Sequence, residues 1–433
     1  MFGFLQSNER KMRENADNWL GLADKIGHYR RDQLTAAQMR DLRQKSADLR
    51  LKLKQRSDAS RLKLGIESLE GVLRQIGGTF YPKSALVENV EFLLVAAIIV
   101  LGIRTFFLQP FKIPTNSMWP TYYGMTAENL PPGKPAPGPL EQAFRFVAFG
   151  AQRREAVAPA DGEVSAKFFS NGMLAFTVRS ARKWLLVPTQ VREYTFYVDG
   201  AEASVQVPVD FSDFDKVVQE TLLDGTPAGR FLEEAGRTGR IERSQILLRE
   251  GTDDVRTAYL ARLGKTVRAG DPIVRFDVLT GDQLFVDRLS YHFVPPKVGD
   301  GFVFRTRHIP YIGVDQYYVK RLVGRPGDTL EIRPPVLYRN GQPIAGAAAF
   351  GLNARRSGLY QGYFNGAKGG EDNLGWLTAG ESLKVADHSF FALGDNSGNS
   401  RDGRYWGFVP EKDVVGRSLF IYYPFTRRWG PAR

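Results

Sequence analysis

The chain has no cysteine in 433 residues, which excludes disulfides, thiolate catalysis and Cys-ligated zinc or iron–sulfur sites. An exported domain of this size does not need disulfides, so the compartment stays open. Histidine is scarce: His28, His292, His308 and His388 are widely separated, so there is no local histidine metal motif and no cofactor is expected. Acidic residues are outnumbered 47 to 59 by Lys and Arg, a net charge of +12. No nucleic-acid-binding signature accompanies that charge, so nucleic acid is not an expected partner. Two readings of the charge remain: attraction to anionic lipid, at about 1 kcal/mol per basic residue beside a membrane segment, and ordinary solvated surface. What is abundant, 44 glycines and 24 prolines, suits a turn-rich, mainly β protein of two or three domains, and 43% apolar residues argue against wholesale disorder.

There is one long apolar run, residues 92–103 (Phe-Leu-Leu-Val-Ala-Ala-Ile-Ile-Val-Leu-Gly-Ile). Counted through Leu108 it gives 17 positions with one charge, Arg104, at the lower edge of a spanning helix. Arg104 can snorkel near an interface. A buried core helix is the competing reading, and the run lies too far from Met1 for a cleaved secretory signal. We read residues 89–109 as a single transmembrane anchor in a lipid bilayer. Residues 1–88 carry 17 Lys/Arg against 11 Asp/Glu, which favours the cytoplasm, but Lys83 on one side faces Arg104 and Lys112 on the other. Charge therefore leaves the orientation open.

Residues 1–88 read as a basic helical region. Leu62, Ile66, Leu69, Leu73 and Ile76 repeat at 4,3,4,3 spacing, a short coiled-coil-like seam compatible with a self-packed hairpin or a dimer. Residues 131–139 form a stiff Pro-rich linker. Within 125–280 short strand-like runs dominate, and one helix is predicted at 211–223, capped by Ser212 or Asp213. Residues 158–164 and 265–274 resemble the turn-and-strand pieces of biotinyl- and lipoyl-type barrel-sandwich modules, without their Met-Lys-Met or Asp-Lys-Ala carrier site. The expectation is an inserted β module with no attached cofactor. From Leu284 onward, β-branched and aromatic runs alternate with Gly-Asp and Pro-Gly turns, which predicts an antiparallel sheet.

Three runs carry chemistry. Ser117 lies in Ile-Pro-Thr-Asn-Ser-Met-Trp-Pro-Thr (113–121), just after the apolar segment. Lys320 lies in Tyr-Val-Lys-Arg-Leu-Val-Gly-Arg-Pro-Gly-Asp (318–328), where strand alternation puts Lys320 on one face and Val319 and Arg321 on the other, one of which must be the core face. Residues 393–407, Leu-Gly-Asp-Asn-Ser-Gly-Asn-Ser-Arg-Asp-Gly-Arg-Tyr-Trp-Gly, pack small polar groups around an Asp/Arg pair. Taken singly these are a turn serine, a solvated lysine and a hydrogen-bonded turn. A serine becomes a nucleophile only beside a base, and a lysine becomes a base only where burial leaves it neutral.

Together, in this order and after a membrane segment, the three runs resemble the bacterial type I signal peptidases (leader peptidases), a Ser/Lys-dyad family. Residues 281–288, Gly-Asp-Gln-Leu-Phe-Val-Asp-Arg, are similar to the strand that normally follows the nucleophile motif closely. The resemblance covers 90–124 and 281–425. It implies an antiparallel catalytic domain built from 110–124 plus 281–433, with 125–280 inserted. It further implies that Ser117 is the nucleophile and Lys320 its base, and that the Ser117 N–H and Thr115 hydroxyl hold the oxyanion. Ser400 would bond the lysine nitrogen, with Asp395, Asp402 and Arg404 as support. Phe111, Ile113, Pro114, Tyr318 and Val319 would line shallow pockets for the small residues of an Ala-x-Ala site. The implied substrates are preproteins with signal peptides, cleaved on the outer face of the cytoplasmic membrane; a partner for the insertion is unnamed. Three departures stand out: Thr115-Asn116 where the family usually has Ser-Gly, Ser397 and Gly398 where an Arg and an Asp are common, and an insertion of about 155 residues. Three other readings stand: a self-cleaving repressor-type Ser/Lys peptidase, a membrane-tethered scaffold or binding protein with an unused dyad, and a histidine triad using His388 and Asp395.

Overall fold

Helix α1 (Asn8–Tyr29) is followed by two helices that begin on explicit caps. The Thr35 hydroxyl accepts the Gln38 N–H while the Gln38 side chain accepts the Thr35 N–H, a capping box that starts α2 (Ala36–Lys54). Asp58 accepts the Arg61 N–H and starts α3 (Ala59–Ile76). This computed structural model describes residues 8–130, 137–183, 187–366 and 375–432. The seam residues Leu62, Ile66, Leu69, Leu73 and Ile76 are all buried, against Leu20, Ala23 and Ile26 of α1 and Leu42 and Leu49 of α2. The 4,3 stripe is thus filled by the chain's own helices, the self-packed alternative. Full burial of each large side chain contributes about 1.5–3 kcal/mol.

Helix α4 (Ala85–Phe106) has 22 residues, about 33 Å at the usual rise. Its most apolar 18-residue stretch has a mean hydropathy of 2.3, and none of it is buried, so length and composition allow it to cross a membrane. It starts before the apolar run at 92–103 because Leu86, Val87 and Val90 extend the apolar surface.

From Gly102 onward the chain forms a second unit, mainly of antiparallel sheets. The largest has eight strands in the order Leu108–Lys112, Gln283–Asp287, Val414–Tyr423, Gly301–Arg305, Tyr317–Gly324, Ser389–Leu393 and Phe408–Pro410, with Gly430–Pro431 on Val414–Tyr423. Lys112 pairs with Gln283, so the chain leaves this sheet and re-enters it at opposed positions. An excursion between paired ends leaves the sheet's register undisturbed.

The excursion carries a three-stranded sheet (Thr126–Asn129, Pro272–Leu279, Gln152–Val157) and a six-stranded one built around Gly162–Phe168, Val187–Val198 and Val255–Val267. The pieces likened to barrel-sandwich modules are neighbours there, with Gly162 opposite Val267. The helix α5 (Pro139–Phe149) begins on proline and ends on Gly150 at φ +62, the usual asymmetry of helix ends. Helices α6 (Phe214–Leu222) and α7 (Ala228–Arg237) close one core over both sheets, through Phe211, Phe214, Val218, Phe231, Phe196 and Phe276. Asp213 precedes α6, yet its side chain caps no backbone N–H, contrary to expectation; it is turned elsewhere. The Pro-rich linker of 131–139 lies largely outside the described residues.

Candidate active site

The strand Tyr317–Gly324 is central in the eight-stranded sheet and is covered on both faces. Lys320 is 4% exposed and Arg321 1%, so the expectation that only one of these faces is a core face is corrected. A strand flanked on both sides by paired neighbours and packed above and below buries successive residues alike. Lys320 lies opposite Phe302, and its nitrogen sits over the Tyr318 ring at 5.8 Å.

Ser117 is presented by the 3-10 turn Asn116–Met118, with Met118 buried as its anchor. The turn is pinned from the 393–407 run: the Asn396 N–H donates to the Ser117 carbonyl at 3.1 Å, and Asn396 Nδ2 donates to the Asn116 carbonyl at 2.9 Å. Gly394 lies directly against Ser400 Oγ and the Ser117 carbonyl, leaving no room for a side chain there. In this arrangement Lys320 Nζ is hydrogen bonded to Ser117 Oγ.

Burial lowers the Lys320 amine from 10.5 to about 8; Asp402 and Asp395 pull it up, and Arg404 pushes it down. The carboxylates do not win because both are already engaged. Asp402 accepts Arg404 Nε and Nη2, each at 2.9 Å, and the Gly394 N–H at 2.9 Å. Burial alone would raise the Asp402 carboxyl, but Arg404 holds it below its ordinary range. Asp395 accepts Arg321 Nε at 3.0 Å and is paired a second time through Arg321 Nη2. At neutral pH a pKa near 8 leaves about a tenth of the lysine as free base, against roughly one part in three thousand at 10.5. Serine and an uncharged amine in contact can perform nucleophilic acyl transfer.

Among known proteins, a sequence model of the family described as "Signal peptidase, peptidase S26" matches residues 274–423. A probable signal peptidase I-1 of Synechocystis sp. is 35% identical over 153 residues, covering 35% of this chain and 66% of that protein. The signal peptidase I of Leptolyngbya laminosa is 31% identical, covering 34% and 62%. The signal peptidase I of Bacillus caldolyticus is 32% identical, covering 34% of this chain and 73% of that protein. The chain belongs to the type I signal peptidase family. It spans slightly under two thirds of the first two relatives' lengths.

The signal peptidase match takes in Lys320 and the 393–407 run but not Ser117, which precedes the insertion; Ser117 stands on geometry. Several expected placements change. Ser400 Oγ is buried with no hydrogen-bond partner among the described residues, so the expected bond to the lysine nitrogen is not formed; that nitrogen is turned to Ser117. Ile113 is 4% exposed and belongs to the core with Met118, Leu284 and Val286, so it cannot line an open pocket. Phe111 and Val319 pack at the edge of that core, whereas Tyr318 packs on the opposite face beside Phe304 and Leu322, as strand alternation requires. Pro114 is half-buried, and Thr115 is exposed. His388 is turned to Glu411 at 3.2 Å, while Asp395 is taken by Arg321; no triad forms between them. Ser397, at a position where the signal peptidases commonly carry a charge, instead accepts the Phe364 N–H at 3.0 Å. Arg321 pairs with Asp395, a partner that the sequence signals only through its adjacency to the lysine in Lys-Arg.

Proposed function

We propose that the chain is a membrane-anchored serine endopeptidase that removes signal peptides from exported preproteins, with Ser117 as nucleophile and Lys320 as general base. The hydrogen bond between a buried, pKa-lowered lysine and Ser117 carries this reading. Lys320 takes the hydroxyl proton as Ser117 Oγ attacks the scissile carbonyl, then delivers it to the leaving amine. A water, deprotonated by the same nitrogen, releases the acyl group. The Ser117 N–H and the exposed Thr115 hydroxyl hold the oxyanion; one such donor contributes about 10²–10³ in rate. Residues 110–124 and 281–433 form the catalytic domain, 125–280 the insertion, and 1–88 a helical region. Helix α4 is the anchor, and because it ends at Phe106 a short tether separates it from Ser117. Small residues before the scissile bond dock at shallow subsites lined by Phe111, Pro114 and Val319, on the outer face of the cytoplasmic membrane.

The test is cleavage of a preprotein with an Ala-x-Ala site by the full chain in detergent micelles. Wild type cleaves after the last Ala, and Ser117→Ala loses about 10⁴-fold or more. Retained cleavage by Ser117→Ala would remove the assignment.

A further inference from the structure

Asn116, immediately before the nucleophile, is 8% exposed, and every polar atom of its side chain is used. Its Oδ1 accepts the Gly124 N–H at 2.9 Å. Its Nδ2 donates to the Met125 carbonyl at 3.3 Å and to both carboxylate oxygens of Asp213, at 3.1 and 3.2 Å. A donor on one side and three acceptor oxygens on the other leave a single orientation for the amide. Met125 is buried in the core of the inserted segment, and Asp213 stands at the start of α6 in that same segment. The residue that replaces the family's usual glycine therefore bonds to the insertion at two points.

Asp213 occupies the position from which a side chain normally caps a helix, yet it forgoes the cap. Burial raises its carboxyl, with the Asn116 bond and Lys216 offsetting part of that rise. On the opposite side, Asn396 holds the Asn116 and Ser117 carbonyls. The Ser117 turn is clamped between the 393–407 run and the insertion.

We infer that Asp213 is a positioning residue for Ser117, acting through the Asn116 amide. The inserted segment is thus part of the mechanism's scaffold rather than a passive appendage. This rests on the peptidase reading above. A hydroxyl displaced by about 1 Å from its base loses up to about 10²-fold in rate, while substrate contacts elsewhere are untouched. The effect belongs in kcat rather than KM.

The experiment uses the full chain in detergent with the same Ala-x-Ala preprotein. Asp213→Ala lowers kcat about tenfold with KM within about twofold, and Asp213→Asn, which keeps an acceptor oxygen, stays within about threefold. In an Asn116→Ala background Asp213→Ala has no further effect, the signature of a residue acting through another. Lys265→Ala, which breaks the exposed Lys265–Asp224 pair elsewhere in the insertion, leaves kcat unchanged. If Asp213→Ala does not fold, Asp213→Ser carries the same comparison. An unchanged kcat in Asp213→Ala, or an equal loss with and without the Asn116 amide, overturns the inference. A wild type that cleaves nothing sinks the peptidase reading and this inference with it, a result distinct from an active enzyme indifferent to Asp213.

Discussion

Lys320 and Arg321 are chain neighbours on one strand, both all but sealed from water, and they end in opposite states. Burial drives the lysine amine down to about 8, whereas the Arg321 guanidinium is held above its ordinary value: burial opposes its charge, but the Asp395 carboxylate outweighs it. Burial is common to both, so partners decide. Arg321 has a two-pronged bond to Asp395 and donates to the Gly299 carbonyl at 2.7 Å. Among the described residues Lys320 has only the neutral Ser117 hydroxyl at bonding distance, and Asp402 is occupied by Arg404. A planar guanidinium satisfies such a pair far better than an ammonium, which shifts its pKa readily. One face of the strand stores a fixed charge; the other keeps an amine available for proton transfer.

The largest expected break in this contrast is Lys320→Met. Cleavage falls by about 10⁴-fold or more, while stability below pH 8 rises by on the order of 1–3 kcal/mol, since a buried charge without a carboxylate partner is removed. The sign follows from linkage. The folded pKa lies below the unfolded 10.5, so the folded protein binds fewer protons, and wild-type stability recovers as pH climbs from about 8 towards 10.5. Denaturant titrations of both proteins at pH 6 and pH 10 check this, and a less stable variant at pH 6 would contradict it. Asp395→Ala attacks the other face and leaves Arg321 charged and buried, which costs about 3–5 kcal/mol. A fall under 1 kcal/mol in urea unfolding would mean the pair is not holding the sheet. The smallest effect sharpens the lysine side: kcat/KM rises about tenfold per pH unit below 8 and levels above it. A profile flat between pH 6 and 9 would separate Lys320 from the proton transfer.

Much of the secondary structure is legible locally. The seam from Leu62 to Ile76 and the β-branched and aromatic runs after Leu284 both depend on residues a few positions apart. Placement of the dyad rested on the resemblance of three runs, because nothing local joins residues 117 and 320. The partners of Arg321 and Asp213 are not legible for the same reason. These partners, Asp395 and Asn116, lie far off in the chain, and a lone Arg in a strand or Asp before a helix reads as surface charge or a cap. Ile113 lies in the core rather than at a pocket because motif proximity says nothing about which way a residue just past a strand end points.

Composition and short-range pattern by themselves determined the absence of thiol chemistry, the apolar helix, the helical N-terminal region and the antiparallel class of the rest, since each depends on residue type and nearest-neighbour geometry. Folding alone decided which lysine lost its water, which carboxylates were already taken, and that the start of α6 reaches the residue beside Ser117. Desolvation and charge pairing are properties of what surrounds a group in space, and only the packed chain supplies those surroundings.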